Sequence, residues 1–302
     1  MELSWLMKIR IGLSAAVGVV LIGIIGWPIA EPAEPFGVVS ITAGSITIDG
    51  ILTLAGLAMV CGFTAYFLCW PYGREIGILA VPAGLAVWSV RTGSVANLIQ
   101  ANPSVSQRQT IYAGFQWEPF FWLGIVALGF TGVFIGQLIS RPGLKEAQTD
   151  KKCESKLNVY VRIGLSLVIS ILTAQIFIRI FARDVSMLSR ELGSVLAQPA
   201  VGQIIFALLL SFGIAGFVVK KFLDVDYGWP VLATGFVALL AARYSLSAGA
   251  MERMVQYWPA NFFNDAVLAV LPVQLVTFGT AGAIAGYWMA VRYDYWHEHE
   301  IE

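Results

Sequence analysis

Apolar residues along this chain gather into long runs, and short polar segments separate one run from the next. A helix needs about 20 apolar residues to cross the hydrocarbon core of a bilayer. The runs predict helices at about residues 9–29, 48–70, 76–99, 119–140, 160–181, 201–219, 229–248 and 265–291. The sequence therefore predicts an all-α polytopic membrane protein with eight transmembrane helices.

The composition supports a membrane location and narrows the classes of partner. Hydrophobic residues make up 58% of the 302 residues and charged residues only 13%, whereas about a quarter of the residues in soluble domains are charged. The 19 basic residues are balanced by 19 acidic ones, so the chain lacks the excess of positive charge that nucleic-acid binding requires. We expect the lipid bilayer and other membrane proteins as partners, and no nucleic acid.

The distribution of basic residues predicts how the chain is inserted, because cytoplasmic loops retain an excess of lysine and arginine. With the N-terminus on the cytoplasmic side, all seven lysines, from Lys8 to Lys221, fall on that side. Both termini are then cytoplasmic. The first apolar run has no secretory cleavage site, and the spacing of the cysteines indicates no disulfide framework. These features favour a multi-pass protein of the cytoplasmic (inner) membrane.

A repeated pattern indicates an internal duplication. The sequence RIGLS occurs at residues 10–14 and again 152 positions later, at 162–166. Two glycine motifs of the form G-x-x-G-x-x-x-G are 150 positions apart, and their members are Gly129, Gly132 and Gly136 in the fourth run and Gly279, Gly282 and Gly286 in the eighth. The sequence predicts a four-helix repeat at residues 1–145, a charged cytoplasmic linker at 146–157 and a second repeat at 158–302. Because four crossings return the chain to its starting side, the repeats would be parallel.

The paired glycines predict close helix packing. Small residues four positions apart open a groove that lets a neighbouring helix approach, which is how helices associate in lipid. The alternative is that membrane helices are simply rich in glycine, since the chain contains 30.

Two arginines lie inside apolar runs, where a charge is costly. Arg91 and Arg243 are 152 positions apart, near the outer ends of the third and seventh runs. Glu118 and Asp265, which begin the fourth and eighth runs, are their predicted partners in structural ion pairs at the outer interface. The alternative is that both guanidinium groups line a shared cavity and hold a small anion, which suits their bidentate geometry.

Two segments between the runs carry patterns of their own. Residues 183–197 place apolar residues at helical spacing, which predicts an amphipathic helix that lies on the membrane surface or caps the bundle. Residues 37–50 alternate in a way that fits either a small hairpin or an irregular start of the second helix.

The chemistry of catalysis is missing from the sequence. The apolar runs contain no histidine, no H-E-x-x-H or G-x-S-x-G motif and no pair of acidic residues, and no P-loop is present. His297 and His299 lie in a polar tail. We therefore predict that the chain is not an enzyme and has no catalytic residue, cofactor or metal site.

Two functional classes remain. The first is an integral membrane structural or assembly subunit, which we favour because few polar groups lie within the spans. The alternative is a permease or channel-like component for a small anionic solute that uses Arg91 and Arg243.

Overall fold

The computed structural model describes residues 5–34, 37–42, 44, 46–140, 156–183, 185–189, 193–246, 252 and 266–299. The first half of the described chain is helical. The first and last residues given for every element below refer to the described residues only. Its elements are α1 (Trp5–Gly18), which continues in wider π-type turns over Val19–Ile25, α2 (Trp27–Ala30), α3 (Ile48–Leu68), α4 (Gly73–Ile76), a 3-10 turn (Gly77–Leu79), α5 (Ala80–Arg91), α6 (Val95–Ala101), α7 (Val105–Phe115) and α8 (Glu118–Ser140).

The described part of the second half contains four long helices and a β-hairpin. Its elements are α9 (Lys156–Phe181), β1 (Val185–Ser189), β2 (Gly193–Ala197), α10 (Val201–Leu223), α11 (Gly228–Ser245), a 3-10 turn (Ala266–Ala269) and α12 (Pro272–His299). In the described part of the chain a helix overlaps each of the eight apolar runs, and the shortest of these, α5, has 12 residues.

Among the described residues, six helical stretches are long and apolar enough to cross a membrane, so the chain is a multi-pass membrane protein. They are Trp5–Ile25, Ile48–Leu68, Gly73–Arg91, Val105–Ser140, Val159–Phe181 and Val201–Leu223. The helices α11 and α12 do not belong to this set. Arg243 lies in the last turn of α11, and α12 carries Gln274, Arg292 and Asp294. Large apolar side chains on the spans are exposed, among them Leu52, Leu172 and Phe206. Such surfaces suit contact with lipid and are rare on soluble monomers.

The long helices pack in the same order in each half. In the first half α3 packs against α8, and α1 packs against α5 and α3. In the second half α10 packs against α12, and α9 packs against α11 and α10. The halves meet where α12 contacts α5 and α8, and where α11 contacts α8.

The prediction of an amphipathic helix at 183–197 is wrong. Val185–Ser189 and Gly193–Ala197 form an antiparallel hairpin in which Ser189 pairs with Gly193, so three residues connect the strands. A connection of that length is common in hairpins. Serine in both strands and glycine in β2 weaken the helical alternative, because these residues are poor helix formers compared with alanine or leucine.

The described part of residues 37–50 contains no strand. Residues 37–42 form an irregular segment, and α3 begins at Ile48 behind the N-cap Thr47, whose hydroxyl accepts a hydrogen bond from the Gly50 amide. The irregular segment is nevertheless held in place, because the Val39 amide donates to the Thr92 hydroxyl at 2.8 Å and the Gly93 amide donates to the Gly37 carbonyl at 3.0 Å.

Candidate functional site

Glu118, the first residue of α8, is a buried acceptor that fixes the segment 37–42. Its side chain is 4% exposed. The Ser40 hydroxyl donates to Oε2 at 2.6 Å and the Thr42 hydroxyl donates to the same atom at 3.2 Å. The Ile41 amide and the Trp122 indole donate to Oε1 at 3.3 and 3.1 Å. Four donors therefore surround one carboxylate, which satisfies its lone pairs without an ion pair.

Arg91 has a different partner from the one that the sequence predicted. It ends α5, its side chain is exposed, and its guanidinium carbon lies 4.1 Å from the centre of the Trp27 ring. This is a cation–π contact. Among the described residues no ion pair joins Arg91 to Glu118, because the carboxylate faces inward to its own donors while the guanidinium lies on the indole of α2.

Arg243 lies in the last turn of α11 and is exposed. Its predicted partner Asp265 falls outside the described residues. Nothing in the described part of the chain brings Arg243 and Arg91 into a common cavity.

The three glycines of α8 lie against α3. A Cβ atom built on Gly132 would lie 2.2 Å from the carbonyl oxygen of Met59, and one on Gly136 would lie 2.7 Å from the Tyr66 ring. Gly129 contacts α5 as well, because its Cβ would lie 2.3 Å from the Val81 side chain. Any side chain at these positions would push the helices apart.

The three glycines of α12 lie in a similar way against α10. A Cβ atom on Gly282 would lie 2.6 Å from the carbonyl oxygen of Leu209, and one on Gly286 would lie 1.9 Å from that of Gly213. A Cβ on Gly279 would meet the side chain of Thr234 on α11 at 2.6 Å. Both glycine motifs therefore join the second and fourth long helices of a half.

Buried polar side chains join the two halves. The Gln274 amide nitrogen donates to the Ser89 carbonyl at 3.0 Å, while its oxygen accepts from the Leu271 amide at 3.2 Å. The Ser89 hydroxyl donates to the Thr277 hydroxyl at 3.4 Å. Nearer the loops, Gln198 accepts from the Ala96 amide and donates to the Ala269 carbonyl, each at 2.8 Å. We call Ser89, Gln274 and Thr277 the polar seam; all three are buried.

An apolar cavity lies between α7, α11 and the start of α12. Apart from the Tyr112 hydroxyl its lining side chains are apolar, and neither Arg91 nor Arg243 belongs to it. The lining consists of Tyr112, Phe115, Ala238, Ala241, Ala242, Val267, Leu268, Val270, Pro272 and Leu275.

Each RIGLS arginine lies beside the end of the second long helix of its half, but the two have different partners. Arg10 lies over the Tyr72 ring at 5.7 Å, just beyond α3. The Arg162 guanidinium donates to the carbonyl oxygens of Leu223 and Asp224, at the end of α10. The Lys220 side chain bonds to Asp224 and holds the pKa of that carboxyl below its ordinary value. A cation suits a helix C-terminus, where carbonyl oxygens are unpaired.

Sequence reasoning missed several of these residues. The contacts of Glu118 with Ser40 and Thr42 left no signal, because they join positions more than 70 residues apart. The polar residue Gln274 within an apolar run was a visible signal of a buried hydrogen bond. In the described part of the chain no group of histidine, cysteine and acidic side chains could hold a metal ion.

Comparisons with protein-family models, curated proteins and solved structures found no match for the chain.

Proposed function

We propose that the chain is an integral membrane structural or assembly subunit, built from two parallel four-helix repeats that cross the membrane eight times with both termini in the cytoplasm. Residues 1–145 and 158–302 form the repeats, and residues 146–157 join them. Three observations support this proposal. Buried positions recur at a constant offset in the two halves, the helices of the two halves make matching contacts, and the buried polar side chains hydrogen-bond to other parts of the fold.

The pattern of burial in α3 recurs in α10 at a constant offset of 150 positions. Each member of the following pairs is fully buried: Leu54 and Ile204, Ala58 and Leu208, Cys61 and Ser211, Ala65 and Ala215, and Cys69 and Val219. The contact partners share this offset. Gly132 meets Met59 and Phe63 on α3, while Gly282 meets Leu209 and Gly213 on α10, and 282 − 132, 209 − 59 and 213 − 63 are all 150.

Buried positions in the other two helix pairs also correspond, and each pair has its own constant offset. Buried Ser14, Gly18 and Ile22 of α1 correspond to buried Ser166, Ser170 and Ala174 of α9 at an offset of 152. In α5 and α11 the offset is 153, and the buried pairs are Ala80 and Ala233, Val81 and Thr234, Leu85 and Ala238, Trp88 and Ala241, and Ser89 and Ala242. Changes of offset thus fall between helices, where duplicated units accumulate insertions and deletions.

This register alters the relationship between the two arginines. At an offset of 153, Arg91 corresponds to Tyr244, and Arg243 corresponds to Val90. All four side chains are exposed. The two arginines are 152 positions apart, whereas the helices that carry them are offset by 153 positions. Arg91 and Arg243 therefore do not occupy equivalent positions in the two halves.

The contacts between the halves fit a pseudo-two-fold axis. The third helix of the first half contacts the fourth of the second half, as α5 and α12, and the third helix of the second half contacts the fourth of the first half, as α11 and α8. The two fourth helices, α8 and α12, contact each other. A two-fold relation between the halves produces this exchange of contacts, which supports the proposed duplication.

The main support for a structural subunit is that the buried polar groups hydrogen-bond to other parts of the fold. The polar seam bonds one half to the other, and Glu118 bonds α8 to the preceding segment, so these groups join elements of the fold. The cavity between α7 and α11 is apolar apart from one hydroxyl. A permease for an anionic solute would instead need Arg91 and Arg243 to face a shared polar cavity, but Arg91 packs on Trp27.

Purification from native membranes in mild detergent tests this function. We expect a stoichiometric membrane-protein partner that stays bound through size-exclusion chromatography, with an unrelated tagged membrane protein as the control. A chain that purifies alone and moves chloride across reconstituted vesicles, with the flux lost in the Arg91→Gln, Arg243→Gln double variant, would instead establish the permease.

A further inference from the structure

Arg10 on α1 presents its guanidinium at a partly exposed position at one end of the bundle. The guanidinium carbon lies 5.7 Å from the centre of the Tyr72 ring. The Cys69 thiol donates to the Arg10 carbonyl oxygen at 3.3 Å, so the residues that follow α3 lie beside this arginine. Among the described residues no hydrogen bond or ion pair uses the guanidinium nitrogens. A guanidinium carries five N–H donors in a planar fork that matches a phosphate group.

Arg162, which corresponds to Arg10 at the offset of 152, uses its donors within the fold. They reach the carbonyl oxygens of Leu223 and Asp224 at the end of α10, and the Asp224 carboxylate interacts electrostatically with Arg162. At the offset of 150 that relates α10 to α3, Asp224 corresponds in the sequence to Arg74, whose side chain is exposed. The first half therefore has a second basic residue where the second half has an acidic one.

The surface around Arg10 combines this charge with exposed apolar and aromatic side chains. Leu6 and Leu13 lie within about one helical turn of Arg10 on the same side of α1, and they are 64% and 42% exposed. The Trp70 and Tyr72 rings are about half exposed just beyond α3. The surface lies near the ends of the first two membrane-spanning stretches. Tryptophan and tyrosine are enriched at that level, where helices meet lipid head groups.

We propose that Arg10, Tyr72 and Arg74 form a head-group site for an anionic phospholipid. The lipid phosphate pairs with the Arg10 guanidinium, which the Tyr72 ring holds in position. Arg74 supplies the additional positive charge that favours an acidic head group over a zwitterionic one. The acyl chains lie in the lipid phase along the exposed side of α1, past Leu13. The comparison of the halves rests on the proposed duplication, whereas the position of Arg10 on Tyr72 is observed directly.

Native mass spectrometry of the full chain in mild detergent tests the site, with phosphatidylglycerol, phosphatidylcholine and inorganic phosphate as the probes. We expect phosphatidylglycerol to be retained in preference to phosphatidylcholine. Arg10→Gln should lower the affinity for phosphatidylglycerol about 10 to 100 times, because a charged contact with the phosphate is lost. Arg74→Gln and Tyr72→Leu should each lower it about two- to fivefold, since each removes a weaker electrostatic contact.

Two matched controls separate a specific site from a general effect of charge. Lys8 is exposed close to Arg10, but two residues along a helix correspond to a rotation of about 200°, so Lys8 lies on the other side of α1. Lys8→Gln should leave retention unchanged. Arg162→Gln should lower the thermal stability, because bonds to the carbonyl oxygens at the end of α10 are lost, and should also leave retention unchanged.

Equal retention of phosphatidylglycerol and phosphatidylcholine, equal losses of affinity in Lys8→Gln and Arg10→Gln, or displacement of the lipid by inorganic phosphate would overturn the proposal. If Arg10→Gln does not fold, Arg74→Gln and Tyr72→Leu carry the test. These readouts do not depend on a protein partner or on the number of crossings, so a failure here leaves the structural role standing.

Discussion

Gly132 lies so close to Met59 that a Cβ atom on the glycine would approach the methionine carbonyl oxygen to 2.2 Å. Gly282 has the same relationship to Leu209, at 2.6 Å. Real Cβ atoms do not approach backbone oxygens this closely, so α8 and α3, and likewise α12 and α10, depend on glycine for their separation. Dispersion contacts between close backbones are what hold helices together in lipid.

Gly132→Ala and Gly282→Ala should each lower the free energy of unfolding by about 1–3 kcal/mol, the usual cost of overpacking. Gly124→Ala on α8 and Gly202→Ala on α10 are matched controls, because nothing lies within 4 Å of a Cβ at either glycine. These controls should gain up to about 1 kcal/mol from higher helix propensity. Thermal unfolding in detergent measures both. Equal effects in the two pairs would show that the glycines have no specific packing role.

Glu118→Gln should destabilise the protein by about 1–3 kcal/mol, because an amide replaces one acceptor oxygen by a donor and leaves buried donors unpaired. The segment 37–42 should then become sensitive to limited proteolysis, since Ser40, Ile41 and Thr42 all donate to this carboxylate. Glu34→Gln, at an exposed position, is the control. Wild-type stability with an intact segment in Glu118→Gln would contradict the anchoring role.

Arg91→Gln should cost about 0.5–1 kcal/mol, the value of an exposed cation–π contact, because the guanidinium lies on Trp27. Arg243→Gln should change stability very little, since the exposed side chain makes no hydrogen bond, ion pair or ring contact with a described residue. Chemical denaturation of the two variants separates these outcomes. Equal losses in both would indicate that the arginines act as a pair.

Gln274→Leu should weaken the interface between the halves by about 1–3 kcal/mol, because the Leu271 amide and the Ser89 carbonyl lose a buried partner. A protease site placed in the linker at 146–157 gives the readout. The cut halves should stay together on a detergent column in the parent protein and separate at lower denaturant in Gln274→Leu. Separation of the halves of the parent protein immediately after cleavage of the linker would contradict a stable interface between them.

The sequence predicts the long helices well because each of them is encoded locally, in a run of about 20 apolar residues bounded by polar ones. The short helix α7 was not predicted, although its start carries a visible signal. Ser104 and Gln107 form a capping box, and the spacing S-x-x-Q is visible in the sequence.

The remaining parts depend on contacts between distant segments. Trp27 reaches Arg91 across more than 60 residues, and no local pattern distinguishes this partner from Glu118. At 183–197 the apolar spacing fits a helix as well as a hairpin, and strand pairing decides between them. The offset of 153 between α5 and α11 becomes visible only through burial, because the sequence match of the arginines suggests 152.

The side on which particular cysteines react with a membrane-impermeant maleimide tests the eight crossings and the parallel repeats most directly. Cys61 and Cys69 are buried, so Cys153 in the linker is the native reporter. Gln109→Cys, at an exposed position on α7, and Ser247→Cys, after α11, each with Cys153→Ser, report the predicted outer side of the first and second repeats. We expect Cys153 to react only in inverted vesicles, and the cysteines at 109 and 247 to react in intact cells. Reaction of Cys153 in intact cells, or of the cysteine at 247 only in inverted vesicles, would contradict two four-helix repeats inserted in the same direction.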